Sequence, residues 1–224
     1  MENKLRLRFS KTDKLRFIGH LDFLRVFQQM IRRSGLPIAY SQGFNPHQIV
    51  SFALPLPLGT ESIHDYADIT LTVAVPSNEI VQSLNAAAPG GLRILAAYPV
   101  EGANAASATI AADYVIDLEC PDKPRLQHSI ERIMQSETLI IPKKTKSGIK
   151  DTDIRPDIFA IDTFSCPKSS THITKEGLKM RLSAGSARFL NPMLVAEQIF
   201  ETVPRAISRV ELYQSDGAGA FKPL

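Results

Sequence analysis

The sequence predicts an α+β fold of two consecutive domains, each an antiparallel sheet with two helices on one face. In the first hundred residues, period-two and period-3.6 apolar patterns follow one another as strand, helix, strand, strand, helix, strand. The same order returns after residue 113, beyond a segment rich in Ala, Ser, Gly and Asn that we interpret as a linker. We therefore expect domains at residues 1–101 and 113–214 and a flexible tail at 215–224.

The elements of the first domain follow from local patterns. Residues 5–9 alternate apolar and polar side chains, which predicts a strand. A helix follows, because Phe23, Phe27 and Met30 share one face, and Gly35 is suited to end it. Further along we expect an extended segment at 36–40, a loop at 41–47, an apolar edge segment at 49–58, a strand at 66–75, a helix at 77–88 and a strand at 92–100.

The second domain is predicted in the same way. We expect strands at 114–118, 138–142, 159–166, 172–182 and 207–213, with helices at 123–136 and 191–202. The element order of the first half, βαββαβ, is that of a ferredoxin-like fold, and the second half repeats it with a longer strand region. The fold class is therefore α+β, with two tandem ferredoxin-like domains.

Composition excludes several classes of protein. The 224 residues are 44% hydrophobic and 22% charged, which is typical of a globular chain and not of a disordered or fibrous one. No apolar run approaches the roughly 18–20 residues that span a bilayer, and the basic, alternating start does not resemble a signal segment. Two cysteines cannot form a disulfide framework. We expect a cytoplasmic protein with no membrane partner.

Charge is unevenly distributed along the chain. The whole sequence has a net charge of +3, whereas residues 1–50 contain nine basic and three acidic side chains, a local net charge of +6. A basic end on a near-neutral body suggests an anionic partner, nucleic acid first. The alternative is a basic surface that is simply solvated.

Two stretches carry candidate binding residues. His20 is at the start of the first helix, where free N–H groups favour anions, and Arg16 precedes it by four residues; Arg25 lies one turn further on. The second stretch is a loop whose aromatic, hydroxyl, amide and imidazole groups could stack on a base or hold a phosphate. Its candidates are Tyr40, Ser41, Gly43, Phe44, Asn45 and His47. A capping or core role for His20, and a purely structural loop, are the alternatives.

Signatures of catalysis are mostly missing. The sequence has no Walker A, G-x-S-x-G, H-E-x-x-H or C-x-x-C motif. Asp151, Asp153 and Asp157 lack the glycine and terminal glutamate of a calcium loop. We therefore expect no metal and no cofactor, and we leave open whether the protein is an enzyme.

Four motifs carry a family resemblance: RFSK at 8–11, LRFIGHLD at 15–22, LPIAYSQGFNPH at 36–47 and SFALPLPLG at 51–59. DIRP at 153–156 and FLNP at 189–192 extend it into the second half. The chain resembles the radical-SAM-linked protein family, bacterial proteins of unknown function found beside or fused to a B12-binding radical SAM protein. The resemblance implies a radical SAM protein as partner. The family usually has Pro and Lys after the loop histidine, where this chain has Gln48 and Ile49.

Three functions are compatible with these observations. A radical SAM enzyme needs three clustered cysteines, so with two the chain is at most an accessory to one. We expect a non-catalytic accessory or binding protein whose first domain holds RNA or another anionic substrate. A weaker, fold-level similarity to the tandem ferredoxin-like endoribonucleases that process CRISPR RNA implies the alternative, a metal-independent endoribonuclease with His20 as general base. The third is an oligomeric scaffold.

Overall fold

The computed structural model describes residues 3–100, 102–118, 122–145, 148–167, 174–185, 188–200 and 207–224. It shows a mixed α+β chain whose strand pairs are mostly antiparallel. The chain divides into two compact units, Met1–Ile110 together with Ser208–Leu224, and Ala111–Ile207. None of the helices within these ranges combines the length and the apolar character needed to cross a bilayer.

The elements are numbered along the chain. The first part contains β1 (Asn3–Lys11), a 3-10 turn (Asp13–Phe17), α1 (His20–Ser34), β2 (Val50–Phe52), β3 (Glu61–Leu71), α2 (Ser77–Ala87), β4 (Leu92–Pro99) and α3 (Ala105–Ala108). The remainder contains β5 (Ala111–Leu118), α4 (Lys123–Gln135), β6 (Ile140–Thr145), β7 (Gly148–Asp153), a 3-10 turn (Arg155–Asp157), β8 (Ile158–Pro167), β9 (Thr174–Ser183), α5 (Pro192–Ile199), β10 (Ile207–Ser215) and β11 (Phe221–Pro223).

The first unit has a sheet in the order β4-β1-β3. At one end of β3 its outer edge pairs with β2 in antiparallel register, and at the other end with β10 in parallel register. Leu5 and Leu7 lie opposite Ile69 and Ala67. With Phe9 they form the sheet side of a core that α1 and α2 cover.

In the second unit, β9 pairs with β5 and with β8, both antiparallel, and β6 and β7 form a separate hairpin. Leu126, Ile130 and Ile133 are the buried side chains of α4. Alternate residues of β9, among them Leu178 and Met180, are buried too. The periodicities that predicted a helix and strands here therefore coincide with burial.

Several segments differ from the expectations. The linker contains α3, because the Asp68 carboxylate accepts a hydrogen bond of 2.7 Å from the Ala105 amide. Residues 208–224, expected in the second domain and its tail, belong to the first unit, and β11 pairs with β10 there. The strand expected at 66–75 is β3, which starts five residues earlier and ends at Leu71. Of the strand expected at 172–182, residues 172 and 173 lie outside the described ranges.

Candidate functional site

The first candidate site is the start of α1. Gly19 is the N-cap and no side chain caps the helix there, so the helix begins at His20 with exposed backbone donors. One face of the helix is buried through Phe23, Phe27 and Met30. That face fixes the rotation of the helix, which places His20 over the sheet edge.

His20 is half-buried and lines a small cavity. Its ring meets the ring of Phe52 edge-on, with centroids 5.6 Å apart. The cavity has room for about one water molecule. Its lining residues are Lys11, His20, Phe23, Phe52, Leu54, Leu56 and Asp65. The cavity therefore brings an imidazole, an ammonium and a carboxylate together.

Lys11 is a buried cation, only 2% exposed. Its Nζ donates to the Ile18 carbonyl oxygen at 3.2 Å and lies 4.6 Å from the centroid of the Phe23 ring. Burial lowers the pKa of Lys11; Asp65 opposes the shift and Arg209 adds to it. The surroundings therefore hold the charged form less well than water does.

Asp65 and Arg209 form a buried ion pair behind Lys11. The Arg209 guanidinium is 0% exposed and donates to Asp65 Oδ2 at 2.5 Å and to the Leu54 and Pro55 carbonyl oxygens at 3.0 and 3.3 Å. Burial raises the pKa of Asp65, and the attraction of Arg209 opposes that rise. These contacts hold the segment after β2 against β3 and β10.

The two candidate arginines have partners of their own. Arg16 NH1 lies 3.0 Å from Glu61 Oε1, and the Arg16 guanidinium stacks 4.7 Å from the Phe17 ring centroid. Arg25 NH1 pairs with Asp22 Oδ1 at 2.9 Å on the exposed side of α1. Neither arginine is among the residues that line the cavity of His20.

The second candidate site is the loop at 41–47, which closes on itself. Tyr40 and Gln48 form an isolated bridge, and the Ser41 amide donates to the His47 carbonyl at 2.8 Å. Ser41 Oγ and His47 Nδ1 are 2.8 Å apart. Gly43 has a φ of +127°, which favours glycine. Phe44 is fully exposed, and Asn45 is exposed beside it.

The loop and the start of α1 remain two separate sets of contacts. Within the described ranges, no hydrogen bond, ion pair or ring contact joins the loop candidates to His20, Arg16 or Arg25. His20 instead shares its cavity with Lys11 of β1 and Asp65 of β3.

A third set of polar groups lies on the other face of the first sheet, and sequence reasoning missed it. Tyr66 Oη donates to Glu211 Oε1 at 2.6 Å, and His64 Nδ1 lies 3.1 Å from Glu211 Oε2 and 2.7 Å from Arg8 NH2. Burial raises the pKa of Tyr66, and the bond to Glu211 adds to the rise. The alternation in β1 predicts a polar face that includes Arg8, but the groups that Arg8 meets there belong to β3 and β10, which the sequence pattern does not identify.

Three large apolar side chains are unusually exposed near the start of α1. Phe17 is 61%, Leu21 68% and Leu58 69% exposed. The Gly59 amide donates to the Arg16 carbonyl at 2.8 Å, so the segments that carry Phe17 and Leu58 adjoin. We call these three side chains the apolar patch.

The basic charge of the first fifty residues is largely paired within the protein. Arg6 and Lys4 contact Asp68, and Arg8 contacts Glu211. Arg16 and Arg25 have the partners given above. Five of the nine basic residues are thus in ion pairs, and four of these pairs use acids from beyond residue 60.

In the part of the chain that the structure describes, no three His, Cys, Asp or Glu side chains are grouped so that they could hold a metal ion. In the cavity at the start of α1, Lys11 is a cation and Asp65 is already ion-paired with Arg209. They suit a hydrogen-bonding or electrostatic role better than ligation.

Two solved structures that match the chain are distantly similar to it. A chain of a Cbf5-Nop10-Gar1 complex matches with a TM-score of 0.49 and 8% identity, covering 95% of this chain and 50% of that one. An unknown protein from Galdieria sulphuraria matches with a TM-score of 0.27 and 9% identity, covering 88% and 89%. The chain thus spans about half the length of the first of these. Neither indicates a function.

Comparison with protein families is more informative. No curated protein matches the sequence. The family model described as "Uncharacterized protein conserved in bacteria (DUF2344)" matches residues 4–192, which includes both candidate sites of the first unit and most of the second unit. The chain belongs to this bacterial family.

Proposed function

We propose that this protein is a non-catalytic binding protein that serves a radical SAM enzyme, and that the apolar patch is its contact surface. The observation that carries the proposal is the exposure of Phe17, Leu21 and Leu58, each above 60%. Large apolar side chains exposed in this way are unfavourable in water, and fully covering each one gains about 1.5–3 kcal/mol. A partner that buries them therefore gains a substantial part of its binding energy here.

The charges around the patch favour a protein over a nucleic acid. Nucleic-acid affinity comes largely from free cations that replace counterions on phosphates. Arg16 and Arg25 are each in an ion pair, and the patch itself is aromatic and aliphatic. Apolar anchors inside a rim of paired charges are typical of protein–protein contacts. RNA or another anionic substrate remains the second ligand that we test.

The identity of the partner rests on the resemblance to the radical-SAM-linked family. With two cysteines the chain cannot supply the three that hold the cluster, so the partner must bring the chemistry. We place the complex in the cytoplasm, as the composition predicts. The same proposal extends to the fold: β4-β1-β3 with β2 at the outer edge, and β5-β9-β8 in the second unit, support tandem ferredoxin-like domains.

The test is co-purification of the full chain with the B12-binding radical SAM protein of the same bacterium. We expect wild type to be retained, and Leu21→Asp and Leu58→Asp to weaken retention about tenfold or more, because each places a charge in the contact. Val73→Asp is the matched control, since Val73 is 55% exposed in the same unit but outside the patch. No association at any salt concentration, or equal retention of all variants, would contradict the proposal.

One contact favours the alternative of a metal-independent endoribonuclease. His20 lines the same cavity as Lys11, so a general base and a cation lie side by side. Incubating total RNA with the protein in EDTA tests it. Cleavage by wild type but not by His20→Ala would support the nuclease, whereas intact RNA in both reactions would exclude it.

The exposed loop serves to test the third function, an oligomeric scaffold. Phe44 offers a full aromatic ring to a second copy or to a base. Light scattering measures the oligomer size of Phe44→Ala and His47→Ala. A changed size, together with unchanged binding of the radical SAM protein, would indicate a scaffold. Unchanged oligomer size would remove the loop from that role.

A further inference from the structure

The second unit contains a cavity of about 500 Å³. It lies between the first turns of α4 and the paired ends of β8 and β9. Its lining residues are Lys123, Pro124, Leu126, Gln127, Thr163, Phe164, Glu176 and Gly177. The volume is in the range of small-molecule sites in proteins.

One wall of this cavity is the flat ring of Phe164, which lies against the backbone at Gly177. Phe164 and Gly177 are direct cross-strand partners of β8 and β9. A Cβ atom at Gly177 would collide with the Phe164 ring and with the Ile116 carbonyl oxygen. The missing side chain is therefore what lets the ring lie on the backbone of β9. A planar ligand could stack on that ring.

The charges of the cavity are already paired. Among the described residues, Lys123 and Glu176 are the charged members of its lining, and Lys123 Nζ lies 2.6 Å from Glu176 Oε1. A charged ligand would have to break this ion pair or face the like charge. Gln127 Nε2 donates to Glu131 Oε1 at 2.8 Å, so the Gln127 carbonyl oxygen and the Thr163 hydroxyl are the neutral polar groups that could bond to the edge of a ligand.

We propose that this cavity binds a small, uncharged molecule with a planar aromatic ring. The ring stacks on Phe164 and contacts Leu126 and Pro124, and the polar edge of the ligand bonds to Gln127 or Thr163. The proposal does not rest on the proposed function, because every residue that carries it belongs to the second unit, whereas the apolar patch belongs to the first.

Two fluorescent probes that share one aromatic skeleton test the proposal with the full chain. N-phenyl-1-naphthylamine is uncharged, and 8-anilinonaphthalene-1-sulfonate carries a sulfonate. We expect saturable binding of the uncharged probe and binding of the sulfonate that is weaker by about tenfold. No saturable binding of the uncharged probe, or tighter binding of the sulfonate, would overturn the proposal.

A matched pair of variants locates the probe. Gln127→Trp fills the cavity from an exposed position, whereas Gln135→Trp adds the same side chain to the same helix two turns away, outside the lining. The sequence has no tryptophan, so the added indole also reports its own surroundings. We expect only Gln127→Trp to weaken binding of the uncharged probe, by about tenfold. Equal affinity of both variants would place the probe elsewhere and overturn the proposal.

The ion pair gives a third measurement. Glu176→Gln leaves Lys123 without its carboxylate, so this variant should bind the sulfonate probe more tightly than wild type does, while affinity for the uncharged probe changes little. This result would show that the Lys123–Glu176 pair sets the preference for an uncharged ligand. An unchanged affinity for the sulfonate probe would refute that role.

Discussion

Replacing Arg209 by methionine should destabilise the first unit severely. The guanidinium is fully buried and donates to Asp65 and to the carbonyl oxygens of Leu54 and Pro55. Its removal leaves a buried carboxylate without its closest cation and two carbonyl groups without this donor. Breaking a buried ion pair from one side costs about 3–5 kcal/mol, because the remaining charge stays desolvated. We expect a loss of that size in the free energy of unfolding.

A double-mutant cycle separates the ion pair from general disruption. Arg209→Met, Asp65→Asn and the double variant are compared with wild type by urea unfolding, followed by circular dichroism and by tyrosine fluorescence. The two probes must give coincident transitions, since the chain has two units and two-state behaviour has to be demonstrated. The double variant should lose less than the sum of the single losses, because it removes both members of the Asp65–Arg209 pair and leaves neither without the other. Additive losses would refute the argument that the two side chains act as a pair.

Three further predictions concern single positions, and urea unfolding measures each. Burial holds the pKa of Lys11 below its value of 10.5 in the unfolded chain, so the free energy of unfolding of wild type should rise relative to that of Lys11→Met as pH rises toward 10.5. A difference between the two proteins that does not change with pH would contradict this. Gly91→Ala should lower the free energy of unfolding by about 1–3 kcal/mol or more, because Gly91 has a φ of +84° and a Cβ there would lie 2.6 Å from the Thr12 carbonyl oxygen. Gly90→Ala is the control, since a Cβ at Gly90 meets open space, and its loss should be less than half as large. Asn191→Ala should lower the free energy of unfolding by about 1 kcal/mol, because it removes the N-cap of α5. An unchanged free energy of unfolding would contradict a stabilising role for this cap.

The elements that the sequence predicted well are those whose signal is local. The alternation of Leu5, Leu7 and Phe9 and the helical spacing of Phe23 and Phe27 each depend on one segment, and both segments bury the expected face. Periodicity reports which side of an element meets the core, whichever element provides it. This is why β1 and α1 could be predicted without knowledge of their neighbours.

The misread segments are those whose structure depends on distant partners. The segment at 102–112 has the small residues of a linker, but Asp68 and Arg6 bond to its backbone at Ala105 and Ala103. The last ten residues follow the last predicted strand, yet Leu224 is buried and its carbonyl oxygen accepts a hydrogen bond of 2.8 Å from Tyr98 Oη. The local composition around Ala105 does not depend on Asp68, which lies thirty-seven residues earlier. No local pattern in the sequence could therefore predict these contacts.

The candidate site was half predictable for the same reason. His20 was recognised because it stands at a helix start, which is a local feature. Its neighbours in the cavity, Lys11 and Asp65, belong to two different strands, and Arg209 lies 144 residues from Asp65. The sequence shows Lys11 and Arg209 only as basic residues and contains no local signal that both are buried.

This difference changes how the basic start of the chain should be understood. A local net charge of +6 suggests an anionic ligand only while its cations are free to meet one. In the first unit Arg6, Arg8 and Arg16 instead meet the acids of β3 and β10, and Lys11 is inside the fold. Much of that charge therefore holds strands together. What the start of α1 offers to a partner is mainly apolar, and association through it should persist at salt concentrations that abolish binding to phosphates.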